Sequence, residues 1–190
     1  MLLGCIDERL WFTTFYGTAW AAQKEIFPTH PTWGSSQGPD ITWFRDRLFM
    51  FWKGKGNDER LWHTSFFGNA WADQAEVFSA HPNWGSSHRP AIAVHLPYTN
   101  SQFSSTDILR FVWKGRNTDT GIWQATLNII EKNSPQLKLY KWSDQSLTAS
   151  DRGTSDTPAL ACFNGKLYMA WKNKSSVQIF LSSLAPDSPA

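Results

Sequence analysis

Two stretches of this chain carry nearly the same sequence 51 residues apart. When residues 7–37 are aligned with residues 58–88, 20 of 31 positions are identical without a gap. The shared frame contains Asp-Glu-Arg-Leu-Trp, Gly-x-Ala-Trp-Ala-x-Gln and His-Pro-x-Trp-Gly-Ser-Ser. A fixed period of this length is the signature of a protein built from stacked repeat units. The chain is therefore expected to fold as a series of similar modules.

More diverged copies follow these two. A third is traced through residues 112–115, 122–123 and 142–145, and a fourth through residues 158–172. Relative to the second copy, the third has insertions around residues 96–105 and before Trp142, which we expect in loops. We treat residues 1–190 as a single repeat domain with units 1 to 4 at approximately 1–37, 38–88, 89–156 and 157–190, the first and last being partial.

Unit 2 shows the strand pattern best. It predicts short strands at residues 40–45, 48–53, 60–65 and 70–77, separated by turn-forming Gly, Asn and Asp. The second strand is apolar on both alternating faces, so neighbouring units must cover both sides. Four-stranded repeats of about 50 residues are typical of propeller blades. We therefore expect an all-β fold, a β-propeller of four-stranded antiparallel blades with about four blade units, the terminal ones incomplete.

The sequence leaves the closure of such a ring open. Units 1 and 4 combined would give a ring of three blades, fewer than the roughly 4 to 8 blades of propellers. Kept separate, they would give four blades, two of them incomplete. The sequence is equally compatible with a larger ring completed by a homo-oligomer and with a fragment of a longer repeat protein.

Charge and hydropathy bear on several classes of partner. The net charge is +2 with no run of like charges, so we expect no nucleic-acid partner. No apolar stretch approaches the roughly 20 residues of a membrane span, and the first residues do not read as a secretory signal. The expected localisation is cytoplasmic, or secreted by a non-classical route.

Cys5 and Cys162 are predicted to be buried free thiols, with pairing through ring closure as the alternative.

Most tryptophans occupy repeated positions and have a structural interpretation. Three fall mid-strand and are predicted to pack between units: Trp52, Trp113 and Trp171. Three others precede Gln by three residues and are predicted to close a hairpin: Trp20, Trp71 and Trp142. In units 1 and 2 this hairpin reads Thr-x-Phe-x-Gly-x-x-Trp, which resembles the Asp-box of sialidase-type propellers with phenylalanine in place of aspartate. That resemblance implies blade topology and no catalysis.

Four other tryptophans are candidates for ligand binding. Trp33 and Trp84 fall in the His-Pro-x-Trp-Gly-Ser-Ser loop, where periodicity gives no reason for burial. Exposed aromatic rings in loops suit stacking against the C–H face of a sugar. The alternative is a loop anchor packed on the next unit. Trp11 and Trp62 lie on a strand with polar neighbours and are also candidates.

A repeated charged triplet stands beside Trp11 and Trp62. Its candidate binding residues are Asp7, Glu8 and Arg9 in unit 1, and Asp58, Glu59 and Arg60 with Lys53 and Asn57 in unit 2. Carboxylates and arginine supply directional hydrogen bonds to vicinal hydroxyls. The alternative for these residues is a solvated turn.

Catalytic patterns are missing from the sequence. The five histidines show no metal-ligand spacing, and no phosphate-binding loop or nucleophile elbow occurs. Adjacent Asp and Glu in each triplet would point apart, which does not suit the paired carboxylates of a glycosidase. We expect no enzyme, and neither a metal nor another cofactor.

Three segments carry a family resemblance. Residues 158–172, residues 52–62 and the Gly-x-x-Trp-x-x-Gln hairpin resemble blades of bacterial and fungal tandem-repeat propeller lectins. The resemblance implies glycan partners, monosaccharides or glycan termini, bound at or between blades without metal or catalysis. We therefore expect a carbohydrate-binding protein with repeated shallow sites. The alternatives are a protein-interaction or toxin-associated propeller scaffold and, third, a sialidase-like glycoside hydrolase.

Overall fold

The computed structural model describes residues 7–95, 108–129 and 140–184. Within these ranges the regular secondary structure consists of strands, and no helix occurs there. The paired strands named below are all antiparallel. The expected all-β fold class is thus confirmed. The two insertions expected in unit 3 and Cys5 lie outside the described residues. Cys162 is a free thiol as expected, but it is only partly buried, because the strand that carries it alternates between exposed and partly buried positions.

Unit 1 contributes a two-stranded sheet of β1 (Trp11–Phe12) and β2 (Lys24–Glu25). A single bridge between Phe15 and Trp20 continues this pairing toward the hairpin tip. Gly17 turns the hairpin with a φ of 86°, in the left-handed region where glycine is favoured. The repeated Gly of this hairpin is therefore required by the turn.

Unit 2 forms a five-stranded sheet in the order β3-β4-β5-β6, with β7 also paired to β5. The strands are β3 (Asp40–Phe44), β4 (Arg47–Lys53), β5 (Leu61–Phe67), β6 (Ala70–Trp71) and β7 (Ala75–Glu76). The first three agree with the predicted strands to within a few residues. The predicted fourth strand, residues 70–77, is instead two short segments that both pair with β5.

A β-bulge is the physical reason for this division. Phe66 faces Trp71, whereas His63 faces Ala75, so three residues connect β6 to β7 where only two separate their partners on β5. The Thr64 hydroxyl donates a hydrogen bond to the Ala72 carbonyl oxygen at 2.6 Å and holds the extra residue. The same one-residue offset occurs in units 1 and 3.

Unit 3 repeats this sheet, and unit 4 forms three strands. The strands of unit 3 are β8 (Ala91–His95), β9 (Ile108–Lys114), β10 (Ile122–Ile129), β11 (Tyr140–Trp142) and β12 (Ser146–Leu147), in the order β11-β10-β9-β8 with β12 on β10. The strands of unit 4 are β13 (Ala159–Phe163), β14 (Lys166–Lys172) and β15 (Ile179–Leu184).

The core lies between successive units. One cluster joins units 1 and 2, a second joins units 2 and 3, and a third joins units 3 and 4. Strand β8 lies beside both β3 and β13, so the first strands of units 2, 3 and 4 are neighbours. The predicted mid-strand tryptophans are confirmed as buried: Trp52, Trp113 and Trp171. The described strands do not form a closed ring.

Candidate functional site

An open pocket of about 300 Å³ lies on unit 1. It brings four of the predicted binding residues together: Asp7, Glu8, Arg9 and Trp11. The pocket is also lined by Leu10, which follows the triplet. Its other lining residues come from the end of the His-Pro-x-Trp-Gly-Ser-Ser loop and the chain after it: Ser35, Ser36, Gln37, Gly38 and Pro39. The pocket therefore lies where the charged triplet meets the segment that leads into unit 2.

A turn fixes the charged wall of this pocket. The Arg9 backbone N–H donates to Asp7 Oδ1 at 3.0 Å, which orders the triplet ahead of β1. The Arg9 guanidinium donates to Glu25 Oε2 on β2 at 3.1 Å and lies 3.4 Å from Asp7 Oδ1. Trp11, on β1, is 43% exposed beside these groups. The pocket thus combines a partly exposed aromatic residue with exposed charges.

The glutamate of each triplet joins one unit to the next. Glu8 Oε1 accepts a hydrogen bond from the Gly56 backbone N–H of unit 2 at 3.3 Å. Glu59 Oε1 accepts one from the Asn117 N–H of unit 3 at 2.8 Å, and its Oε2 accepts one from Arg116 Nε at 3.2 Å. These glutamates therefore have a structural role between units at the edge of each triplet.

The triplet of unit 2 is arranged differently from that of unit 1. Arg60 donates to both carboxylate oxygens of Asp58, at 2.8 and 3.0 Å, and its guanidinium lies 4.7 Å from the ring centroid of Trp62. Trp62 Nε1 also donates to Asp58, at 3.0 Å. Burial raises the pKa of Asp58, but the hydrogen bonds from Arg60 and Trp62 outweigh it and lower the pKa overall. A ring face of Trp62 is therefore occupied by Arg60.

Unit 3 retains only the aspartate and the tryptophan of this arrangement. Trp123 Nε1 donates to Asp119 Oδ2 at 2.8 Å, as Trp62 does to Asp58. Thr120 and Gly121 replace the glutamate and arginine of the triplet. The aspartate–tryptophan hydrogen bond consequently belongs to the scaffold, and the arginine and glutamate distinguish units 1 and 2.

Lys53, a candidate binding residue, is buried and engaged inside the protein. Its ammonium group donates to Ser36 Oγ at 2.9 Å and to the carbonyl oxygens of Gly54 at 3.2 Å and Gly56 at 2.7 Å. Burial lowers its pKa. Asn57, predicted with it, is exposed in the turn that follows. The ammonium group of Lys53 is therefore used within the protein, while Asn57 lies at the surface.

Trp33 and Trp84 are partly buried loop residues. The Trp33 ring stacks on His30 at 3.9 Å with an interplanar angle of 13°, and its edge meets Phe27 at 5.1 Å. Trp84 repeats this arrangement, with His81 at 3.9 Å and 8° and Phe78 at 5.1 Å. Because histidine covers a ring face in both loops, the packing favours the loop-anchor alternative over an open stacking surface.

The paired serines of this loop are residues that sequence reasoning did not select. The Ser35 backbone N–H donates to the Glu8 carbonyl oxygen at 2.8 Å, and the Ser35 hydroxyl donates to the Lys53 carbonyl oxygen at 2.7 Å. The corresponding Ser86 N–H donates to the Glu59 carbonyl oxygen at 2.8 Å. The sequence signal that could have identified these serines is that Gly-Ser-Ser is repeated and is followed in the next unit by Trp-Lys-Gly, at residues 52–54 and 113–115.

Metal-ligating side chains do not gather in the part of the chain that the structure describes. There, no three His, Cys, Asp or Glu side chains cluster so as to hold a metal ion. Nor does any helix in those ranges have the length and apolar character required to cross a membrane.

Comparison with protein-family models and with curated proteins finds no match to this chain.

Proposed function

We propose that this chain is a carbohydrate-binding protein, a lectin with propeller-type units, and that the pocket of unit 1 is its principal sugar site. The observation that carries the proposal is the meeting of Asp7, Glu8, Arg9 and Trp11 around one open pocket of about 300 Å³. Pockets of this size suit small ligands, and a monosaccharide is the class that matches the lining.

The chemistry of the lining supports a sugar rather than an apolar ligand. A partly exposed indole ring offers an apolar face for the C–H groups of a pyranose. Asp7 and Arg9 are both about half exposed at the rim, with side-chain exposures of 50% and 45%. Carboxylate acceptors and guanidinium donors on one wall match the alternating donors and acceptors of vicinal hydroxyls. Binding by these groups needs neither a metal nor turnover.

The packing of the units supports the propeller part of the proposal. Each of the three successive contacts buries apolar residues from both units, as stacked blades do. The first strands of units 2, 3 and 4 are neighbours, which is the arrangement of inner strands around an axis. The sheets of units 2 and 3 each contain the four predicted strand positions, the fourth being divided by the bulge.

Unit 2 carries the same triplet in a less open form. Because Arg60 lies over the Trp62 ring, a sugar would have to displace the guanidinium before it stacks on the indole. We therefore propose that the sites of units 1 and 2 are unequal and that unit 1 has the higher affinity.

The proposal is tested with a glycan array followed by calorimetric titration of the sugars that bind. Trp11→Ala is expected to weaken binding at least about tenfold, the equivalent of about 1.4 kcal/mol, because it removes the stacking surface. Trp43→Ala is the matched control, since Trp43 is also exposed but does not line the pocket. Unchanged affinity in Trp11→Ala would contradict the assignment of the site.

Two other outcomes would contradict the function itself. An array without hits, together with a stoichiometric protein ligand that sugars do not displace, would favour the protein-interaction scaffold. Release of the fluorophore from fluorogenic sialosides or glycosides would show a hydrolase.

A further inference from the structure

Contacts between successive units use the same sequence positions each time. In units 2, 3 and 4 a lysine follows the buried mid-strand tryptophan. Lys53 of unit 2 pairs with Leu61, and Lys114 of unit 3 pairs with Ile122. Leu61 packs in the cluster shared with unit 3, and Ile122 packs in the cluster shared with unit 4. Each unit thus presents one defined face to the unit that follows it.

In unit 4 this face is exposed. Ile179 pairs with Lys172 and so occupies the position of Leu61 and Ile122. Leu61 is 1% exposed and Ile122 0%, whereas Ile179 is 69% exposed. Two residues later on β15, Leu181 is 70% exposed. Ile179 stands at a position that is interior in units 2 and 3, and together with Leu181 it forms an exposed apolar surface of the kind that marks an interaction site.

The end of the first strand gives the same result independently. Phe44, His95 and Phe163 close β3, β8 and β13 at equivalent positions. Phe44 is 0% exposed within the cluster of units 2 and 3, and His95 is 2% exposed with Nε2 3.1 Å from the Gly165 carbonyl oxygen of unit 4. Phe163 is 65% exposed. We call Phe163, Ile179 and Leu181 the C-terminal face.

Unit 1 exposes the counterpart of the C-terminal face, namely the hairpin surface that one unit presents to the unit before it. The hairpin pair Phe66 and Trp71 of unit 2 lies against Phe12 of unit 1, with ring centroids 6.4 and 5.8 Å apart. The same hairpin pair in unit 1 is Phe15 and Trp20, which are 50% and 68% exposed. We call Phe15 and Trp20 the N-terminal face.

We propose that the C-terminal face of one copy of this chain binds the N-terminal face of a second copy, continuing the unit-to-unit packing from head to tail. The partner is a second copy because the two faces are the two halves of a contact that the chain already makes between its own units. Contacts of this kind are heterologous, so they produce a closed ring where the rotation closes and an open filament where it does not.

The repeat also fixes which side chains meet. Leu181 pairs with Ala170 on β14, as His63 pairs with Phe51, so Leu181 occupies the position of His63 and therefore of Phe12 in unit 1. Phe12 is the residue that covers the hairpin pair of unit 2. Leu181 of one copy accordingly lies against Phe15 and Trp20 of the other.

Sedimentation velocity over a range of micromolar concentrations tests the assembly. The wild type is expected to have a mass above the 21.7 kDa of one chain. Leu181→Arg and Phe15→Arg each place a charge in one face and are expected to give single chains. Val177→Arg is the control, because Val177 is 89% exposed in the turn before β15 and belongs to neither face.

Mixing the two disrupted variants distinguishes a head-to-tail contact from a symmetric one. Leu181→Arg retains a normal N-terminal face, and Phe15→Arg retains a normal C-terminal face. The mixture is therefore expected to form heterodimers that contain one chain of each variant. In a background with both native cysteines changed to serine, Leu181→Cys in one chain and Phe15→Cys in the other are expected to be joined by a short bis-maleimide. Val177→Cys is expected to give no such product.

Several results would overturn the proposal. These are a single-chain mass for the wild type at every concentration, equal effects of Leu181→Arg and Val177→Arg, or no pairing in the mixture. Circular dichroism of each variant shows whether it is folded. The proposal requires that Leu181→Arg and Phe15→Arg, which alter different faces, both abolish the assembly. None of these measurements involves a sugar, so failure here leaves the proposed sugar site unaffected.

Discussion

Two buried lysine ammonium groups occupy matching positions in units 2 and 3. Lys53 donates to the Ser36 hydroxyl and to two carbonyl oxygens, and Lys114 donates to the Ser87 hydroxyl at 2.7 Å and to the carbonyl oxygens of Asn117 and Asp119. Charge-assisted hydrogen bonds are the strong ones, and removing the donor from partly buried acceptors is costly. Each lysine therefore fastens the loop arriving from the preceding unit.

We predict that Lys53→Met lowers the free energy of unfolding by about 2–4 kcal/mol, because the carbonyl oxygen of Gly56 and the Ser36 hydroxyl lose the ammonium donor and the carbonyl oxygen of Gly54 loses one of its donors, while the side-chain length is kept. Urea unfolding followed by tryptophan fluorescence measures this loss. Lys55→Met is the matched control, since Lys55 is exposed in the same turn. Equal losses in the two variants would show that the ammonium contacts do not stabilise the fold.

Among the connecting elements, the Trp-Gly-Ser-Ser loop approaches the backbone of its own unit closely. A Cβ atom added at Gly85 would overlap the carbonyl oxygen of Glu59, and one added at Gly34 would overlap that of Glu8. Ser86 and Ser35 donate to these same oxygens. The repeated glycine is therefore needed for the loop to reach the strand of its own unit.

We predict that Gly85→Ala lowers the free energy of unfolding by about 1–3 kcal/mol, because either the loop or the Glu59 backbone must move. Gly38→Ala is the matched control, as a Cβ there meets no atom within 4 Å, and its effect is expected to be within about 1 kcal/mol. Thermal or urea unfolding of the two variants compares them. A small loss in Gly85→Ala would mean that the approach is easily relaxed.

At the scale of the whole molecule, stability depends on a histidine beside the core shared by units 2 and 3. His63 packs 5.7 Å from the ring of Phe51, and its Nδ1 is buried without a hydrogen-bond partner among the described residues. Burial lowers the pKa of His63 from 6.5 to about 4. The unfolded chain therefore binds a proton between these values that the folded protein does not. The stability associated with neutral His63 is present above the unfolded pKa and is lost as the pH falls toward about 4.

We predict that unfolding free energy falls between about pH 7.5 and pH 5, with a contribution of about 2 kcal/mol from His63. His63→Phe introduces the residue that unit 1 has at this position, and it is expected to remove that contribution. Urea unfolding of both proteins at both pH values gives the difference, in which other titrating groups cancel. An identical loss in the two proteins would assign the acid sensitivity to groups other than His63.

The repeat accounts for why much of the fold was predictable. Alternating apolar residues and turn signals are local, so they define β4 and β5 and the burial of Trp52 and Trp113 without knowledge of the neighbours. The bulge that divides the fourth strand was not predictable in this way. It depends on the pairing of Ala72 with Thr64 across the hairpin, and no periodic pattern records it.

The candidate site was predicted only in part, for a related reason. Asp7, Glu8, Arg9 and Trp11 are close in sequence and meet in one pocket, so their association was readable as a motif. Arg60 instead covers Trp62, and Lys53 binds a serine of the preceding unit, although sequence alone placed them in the same candidate set. Identical residues thus have different surroundings according to which unit follows or precedes them.

The sequence by itself determined that this protein is a series of β-units with tryptophan-rich cores, because local periodicity specifies the strands and their buried faces. Only the tertiary structure decided which repeated residues are left for partners. Leu61 and Ile179 occupy the same position in the repeat, yet one is interior and the other is exposed. Whether a residue at this position is buried depends on what packs against its unit. That surface is supplied by residues far away in sequence or by a second molecule.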